Sequence, residues 1–146
     1  YGGSLENRMR FPLEVIKTVR KKIGGKILSF RLGVVDLDPD GVKISDSKKF
    51  AAKMERAGVD VIHVSGGFCG SSPEPLQTRQ GYFIPYAQKI KKVVRVPIIG
   101  VGGITDPEYA DKFISEGKVD LVAVGRALYN DSNWAKNAIK KLNSQS

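Results

Sequence analysis

The sequence predicts an α/β fold in which a leading helix and four strand–helix units build a parallel sheet covered by helices, half the content of an eight-stranded (β/α) barrel. Three observations carry that expectation. Short apolar runs alternate with longer segments of helical periodicity, and the runs read as nearly continuous Val, Ile and Leu, as strands of a buried parallel sheet do. Each run ends in glycine, at Gly33, Gly66-Gly67, Gly102-Gly103 and Gly125. The chain has 146 residues, whereas a full barrel takes about 250. A flavodoxin-like arrangement, with the four strands flattened into an open sheet, is the rival topology.

Taken in order, Tyr1-Gly2-Gly3-Ser4 reads as a turn, with Ser4 as N-cap of a helix that carries Leu5, Met9, Leu13, Ile16 and Ile23 on one stripe and ends at Gly24-Gly25. Pro12 lies inside this pattern and predicts a kink. The start at Tyr1 rather than Met, in what reads as the middle of something, gives the expectation of a fragment. The first strand, 27–33, alternates: Leu28, Phe30 and Leu32 share one face, and Ile27, Ser29 and Arg31 share the other. A polar loop, 34–45, follows. Its acidic residues invite a calcium reading, but no glutamate closes the loop and the ligand order does not fit. A helix from about Asp46 carries Phe50, Met54 and Ala57 and stops at Gly58, before a second strand over 59–67. The stretch from Phe68 to Gln80 is irregular, long enough to cover a site, and Tyr82 lies at its end. Pro85 opens a helix through Ala87, Ile90 and Val94, and the third strand runs over 97–101. Thr105-Asp106-Pro107-Glu108 has capping-box spacing, Thr to Glu, for a helix that turns Ala110, Phe113 and Ile114 inward and stops at Gly117. After the fourth strand, 119–124, Arg126 to Tyr129 predicts a short helical turn. Asp131 or Ser132 then opens a last helix with Trp134, Ala135, Ala138, Ile139 and Leu142 on its buried side.

Composition narrows the function classes. A 41% hydrophobic content suits one domain with a real core, and no apolar run approaches a membrane span; neither a signal h-region nor a presequence pattern opens the chain. A cytosolic protein is expected. Cys69 is the lone cysteine and reads as an ordinary loop thiol, unable to form an intramolecular disulfide or a metal site by itself. The formal charge of +9 favours anionic ligands. The lysines fall on helical stretches such as 89–92 and 140–141, as a solvated face does, and no aromatic-plus-basic motif points to nucleic acid. His63 is the only histidine and sits within a strand, which favours a packed or locally hydrogen-bonded imidazole over a catalytic one. One histidine and one cysteine give zinc hydrolysis and Cys-His catalysis little support, and Ser65 lacks the preceding glycine of a nucleophile elbow.

What stands out is the pair of strand ends Gly102-Gly103 and Gly125-Arg126. Glycine lets backbone approach a ligand closely, an adjacent arginine offers a planar fork for an anion, and the loops after the last two strands of a barrel are a recurrent phosphate site. Arg31, aimed away from the apolar face, is expected in the barrel mouth, the alternative being an arginine paired with a neighbouring carboxylate. Two open sheet edges invite another chain, so a homodimer joining two half-barrels is expected.

The segment Tyr1 to Arg8 (YGGSLENR) resembles the stretch after the fourth barrel strand of the old yellow enzyme family, the FMN-dependent NADH:flavin oxidoreductases and ene-reductases. The resemblance continues in register through 30–32, 61–67, 102–104 and 124–128, and so spans nearly the whole chain. It implies that residues 1–146 are a single FMN-binding half-barrel, strands five to eight of a longer barrel. By the same resemblance, Arg31 matches the arginine near N1 and O2 of the flavin, where a fixed charge stabilises the anionic reduced ring. Gly102, Gly103, Gly125 and Arg126 match the loops that hold the FMN phosphate. NAD(P)H is the implied hydride donor, and an activated alkene or oxygen the implied acceptor. The His-His or His-Asn pair that grips the substrate carbonyl in this family belongs to the fourth strand and is not in this sequence, nor is the iron–sulphur cysteine cluster of its larger members. Two functions follow. The chain is the FMN-binding half of an oxidoreductase, complete only with an amino-terminal partner or as an ancestral longer gene product, or it is a self-assembling phosphate-binding module without catalysis. A generic phosphate-handling barrel enzyme is a third.

Overall fold

A computed structural model describes residues 1–36, 38, 40–67 and 79–144. Helix α1 (Leu5–Ile23) starts where the Ser4 hydroxyl accepts the Asn7 N–H at 3.3 Å and ends at Gly24, whose φ of +59° places it in the left-handed region. Pro12 does not divide it; one helix passes through, with Met9 and Ile16 buried on either side of the missing N–H. Strand β1 (Ser29–Gly33), α2 (Ile44–Arg56), β2 (Val61–Ser65), α3 (Ile84–Lys91), β3 (Ile98–Gly100), α4 (Pro107–Ser115), β4 (Leu121–Val122), α5 (Arg126–Asn130) and α6 (Trp134–Asn143) follow. The element order matches the expectation, with strands shorter than the apolar runs that contain them. Most of the expected loop from Phe68 to Gln80, Cys69 included, lies outside the described residues.

The strands pair in parallel and in chain order, β1-β2-β3-β4. Arg31 pairs with His63, His63 with Ile99 and Ile99 with Leu121, so these four form one row across the sheet. Their neighbours Leu32, Val64, Ile62 and Ile98 point the other way and are buried with Met54, Ala87, Ile90 and Val119 beneath the helices. Among the described residues, only that face is covered. Arg31 and Leu121 are exposed, and His63 and Ile99 half-buried. A doubly wound sheet would bury both faces, so the flavodoxin-like rival fails; sequential order with helices on one side is half of a (β/α)8 barrel seen from its own interior.

Several local expectations are corrected. The cap of α4 is Asp106, not Thr105: its Oδ1 accepts the Glu108 N–H at 3.1 Å, with Pro107 in the first helical position. The last helix is opened by Asn133 rather than Asp131 or Ser132. Ile139 is 61% exposed and Ile114 41%, because each stripe is wider than the surface this chain offers to cover it. Ala135 is exposed as well.

Candidate functional site

The carboxyl end of β3 is shaped by glycine. Gly102 has φ +133° and Gly103 φ +62°, so the loop turns through conformations that side chains disfavour. The segment before α3 lies across it. Both Gly81 and Tyr82 donate their backbone N–H to the Gly102 carbonyl, and a Cβ on Gly102 would stand 2.9 Å from the backbone nitrogens of Tyr82 and Phe83. The Gln80 side-chain oxygen accepts the N–H groups of Thr105 and Asp106, both at 2.8 Å. From the other side, Trp134 Nε1 donates to the Thr105 carbonyl at 2.7 Å. The loop is therefore pinned by α3's lead-in and by α6 together.

The second expected loop meets the first. Arg126 Nη2 donates to the Tyr82 hydroxyl at 3.3 Å and lies 3.6 Å from where a Cβ on Gly103 would be. Gly102, Gly103, Gly125 and Arg126 are thus brought into one place. Among the described residues, the backbone N–H groups of Gly103, Gly125 and Arg126 meet no protein acceptor, and no carboxylate pairs with the Arg126 guanidinium. Unpartnered donors around an unneutralised cation suit an anion.

Arg31 lies at the other side of the sheet. Its Nη2 donates to Ser65 Oγ at 3.1 Å, and no carboxylate pairs with it among the described residues, against the ion-pair alternative. His63, its cross-strand neighbour, does not pack beneath the helices. It stands on the open face with Nε2 buried and without a partner among the described residues. Burial first, and the Arg31 charge second, hold its pKa below the ordinary histidine value, so the imidazole stays neutral. Arg31 and Arg126 belong to strand ends three strand spacings apart, roughly 14 Å across the sheet. No group of three or more His, Cys, Asp or Glu suited to a metal occurs among the described residues. Tyr82 and Gln80 are the residues that sequence reasoning missed. Gly81-Tyr82 before a helix start marks a turn, but nothing in the sequence aims that hydroxyl at Arg126.

The fold defines a class: a (β/α)-barrel segment with glycine-rich loops and an arginine at the carboxyl ends of its last two strands. The chain belongs to the NADH:flavin oxidoreductase / NADH oxidase family, whose model matches residues 1–145. It is 45% identical over 142 residues to an NADH oxidase of Thermoanaerobacter brockii, covering 94% of this chain and 22% of that protein. It is 35% identical over 142 residues to an NADPH dehydrogenase of Geobacillus thermodenitrificans, covering 97% of this chain and 41% of that one. In structure it resembles histamine dehydrogenase from Rhizobium sp. 4-9, with a TM-score of 0.81 at 23% identity over 97% of this chain and 21% of that one, a likeness of fold. The chain thus spans between about a fifth and two fifths of these proteins. No helix among the described residues is long and apolar enough to cross a membrane.

Proposed function

We propose that this chain is the FMN-binding half of an NAD(P)H-dependent flavin oxidoreductase, with residues 1–146 acting as one half-barrel domain. The convergence of Gly102-Gly103 with Gly125-Arg126 carries the reading. FMN offers a dianionic phosphate at one end and an electron-accepting ring at the other. The residues fit it: a cradle whose backbone N–H groups at Gly103, Gly125 and Arg126 meet no acceptor among the described residues, beside a guanidinium held by a phenol rather than a carboxylate, suits the phosphate, and Arg31, three strands away, suits the ring. Bound FMN supplies the hydride-accepting and hydride-donating centre, with NAD(P)H as donor. Gly103, Gly125 and Arg126 anchor the tail, Arg31 holds positive charge beside the ring, and Ser65 orients Arg31.

The acceptor is a small molecule, and the residues that clamp it belong to the part of the barrel this chain does not contain. Exposed apolar residues include Tyr1, Phe11 and Val15 at and on α1, Ile27 before β1, and Leu121, Leu128, Tyr129 and Ile139 from β4 onward. These are the seams along which an amino-terminal half-barrel, or a second copy, completes the barrel. The same seams favour the second reading, a self-assembling phosphate-binding module without catalysis.

Titration with FMN, followed by visible absorbance, separates the two. Uptake of FMN supports the oxidoreductase half, and protein that stays colourless supports the module. Removing a charge-assisted contact costs about 1.5–3 kcal/mol, so Arg126→Ala weakens FMN by about 10- to 150-fold. Riboflavin, which has no phosphate, is left nearly unaffected. Equal losses for both ligands overturn the placement of the phosphate.

A further inference from the structure

We propose that Tyr82 is a positioning residue for the phosphate contact: its phenol oxygen holds the Arg126 guanidinium over Gly103 in the orientation that receives the anion. The inference rests on the phosphate reading above and names a residue outside the two loops. An exposed arginine loses much rotamer freedom when it binds, unless something orients it beforehand. Arg126 is exposed, and no carboxylate pairs with it among the described residues; its side-chain bond is to Tyr82, at 3.3 Å.

Tyr82 is suited to the task because it is itself fixed. Its N–H donates to the Gly102 carbonyl at 3.2 Å. Its ring carbons lie 2.9 Å from the Cβ positions that Gly102 and Gly103 lack, and its ring meets Phe83 edge-on at 4.7 Å. Two absent side chains therefore make the room in which the phenol sits. The chemistry of the group matters as well. A carboxylate at this place would orient the guanidinium but cancel its charge, whereas a neutral phenol takes one of five N–H donors and leaves the charge for the ligand.

Tyr82→Phe keeps the ring and removes the hydroxyl. It is expected to weaken FMN by about 3- to 10-fold, the worth of one such bond, and to leave riboflavin within about twofold. In an Arg126→Ala background the same change is expected to do nothing further to FMN. Equal losses of FMN in both backgrounds, or equal losses of FMN and riboflavin on Tyr82→Phe, overturn the proposal. A ligand-free measurement distinguishes its failure from failure of the phosphate reading. By ¹⁵N relaxation, the Arg126 Nε–H is ordered in the parent chain and mobile in Tyr82→Phe. Unchanged order overturns the positioning role whether or not FMN binds. If the parent chain takes up no FMN, or Arg126→Ala fails to discriminate FMN from riboflavin, the phosphate reading falls, and the relaxation data alone decide whether Tyr82 holds Arg126.

Discussion

Replacing Gly102 by alanine tests whether the loop after β3 owes its shape to the absence of a side chain. At φ +133° the backbone lies beyond even the left-handed helical well, and an L-residue held in such a region costs about 1–3 kcal/mol. The added methyl also meets backbone, 2.9 Å from the nitrogens of Tyr82 and Phe83, where no side-chain rotation brings relief; overpacking of that kind adds about 1–3 kcal/mol. Gly117 is the control. It has φ +66° and nothing within 4 Å of a Cβ, so alanine there carries only the left-handed penalty, about 1–2 kcal/mol. Gly102→Ala is therefore expected to be destabilising by about 2 kcal/mol more than Gly117→Ala. With a urea m-value of about 1.5 kcal/mol/M, the two midpoints differ by roughly 1.3 M. Urea unfolding followed by circular dichroism reads this directly. If Gly102→Ala unfolds at the same urea concentration as Gly117→Ala, the Tyr82 segment does not approach Gly102 closely and the loop is not shaped as a cradle.

Two other outcomes follow from the open face. Because burial and Arg31 lower the His63 pKa in the folded chain, the unfolded chain takes up its proton first as pH falls through about 6.5, and stability drops on the acid side. His63→Gln is expected to remove that part of the loss, read as a smaller fall in urea midpoint between pH 7.5 and pH 5.5; an equal fall in both proteins refutes it. Leu121 is 48% exposed on the row that faces the barrel interior, so Leu121→Lys is expected to change the stability of this chain by no more than about 0.5 kcal/mol and, if the proposed completion by a second copy holds, to suppress that association. Light scattering and urea unfolding check both halves of that statement, and unfolding of the variant would mean the face is covered by this chain after all.

The sheet was legible because its signals are local and repeated. Apolar runs ending in glycine name the strands, and the alternation in β1 put Arg31 on the face opposite Leu32, where it lies. Helix faces were less legible at the chain's far end. Ile114 and Ile139 satisfy the helical stripe yet stand in solvent, since periodicity says which residues need cover and not whether the same chain supplies it. The cap of α4 was misread by one residue because Thr105 and Asp106 are both good caps; Pro107 takes the first helical position, which leaves the cap to Asp106, while Gln80 accepts the N–H of both residues and does not choose between them. His63 was read as packed or locally hydrogen-bonded from its place within the strand, and it is half-buried with Nε2 out of solvent, though on the row opposite Ile62 and Val64 rather than beneath the helices.

The same openness explains how a partial barrel keeps the loops after β3 and β4 ordered. The helices cover only the outer face, and the core among Ile62, Val64, Ile98, Met54 and Ile90 is complete without anything inside. The loops after β3 and β4 draw their order from that outer layer: from Gln80 and Tyr82 ahead of α3, and from Trp134 on α6. A cradle built from the outside does not need the other half of the barrel in order to form. Arg31 and His63 differ, since their row faces the interior and their remaining partners have to come from across it. If the proposed FMN placement holds, the phosphate end is the part this chain can organise alone, and the ring end is where completion of the barrel should change affinity most.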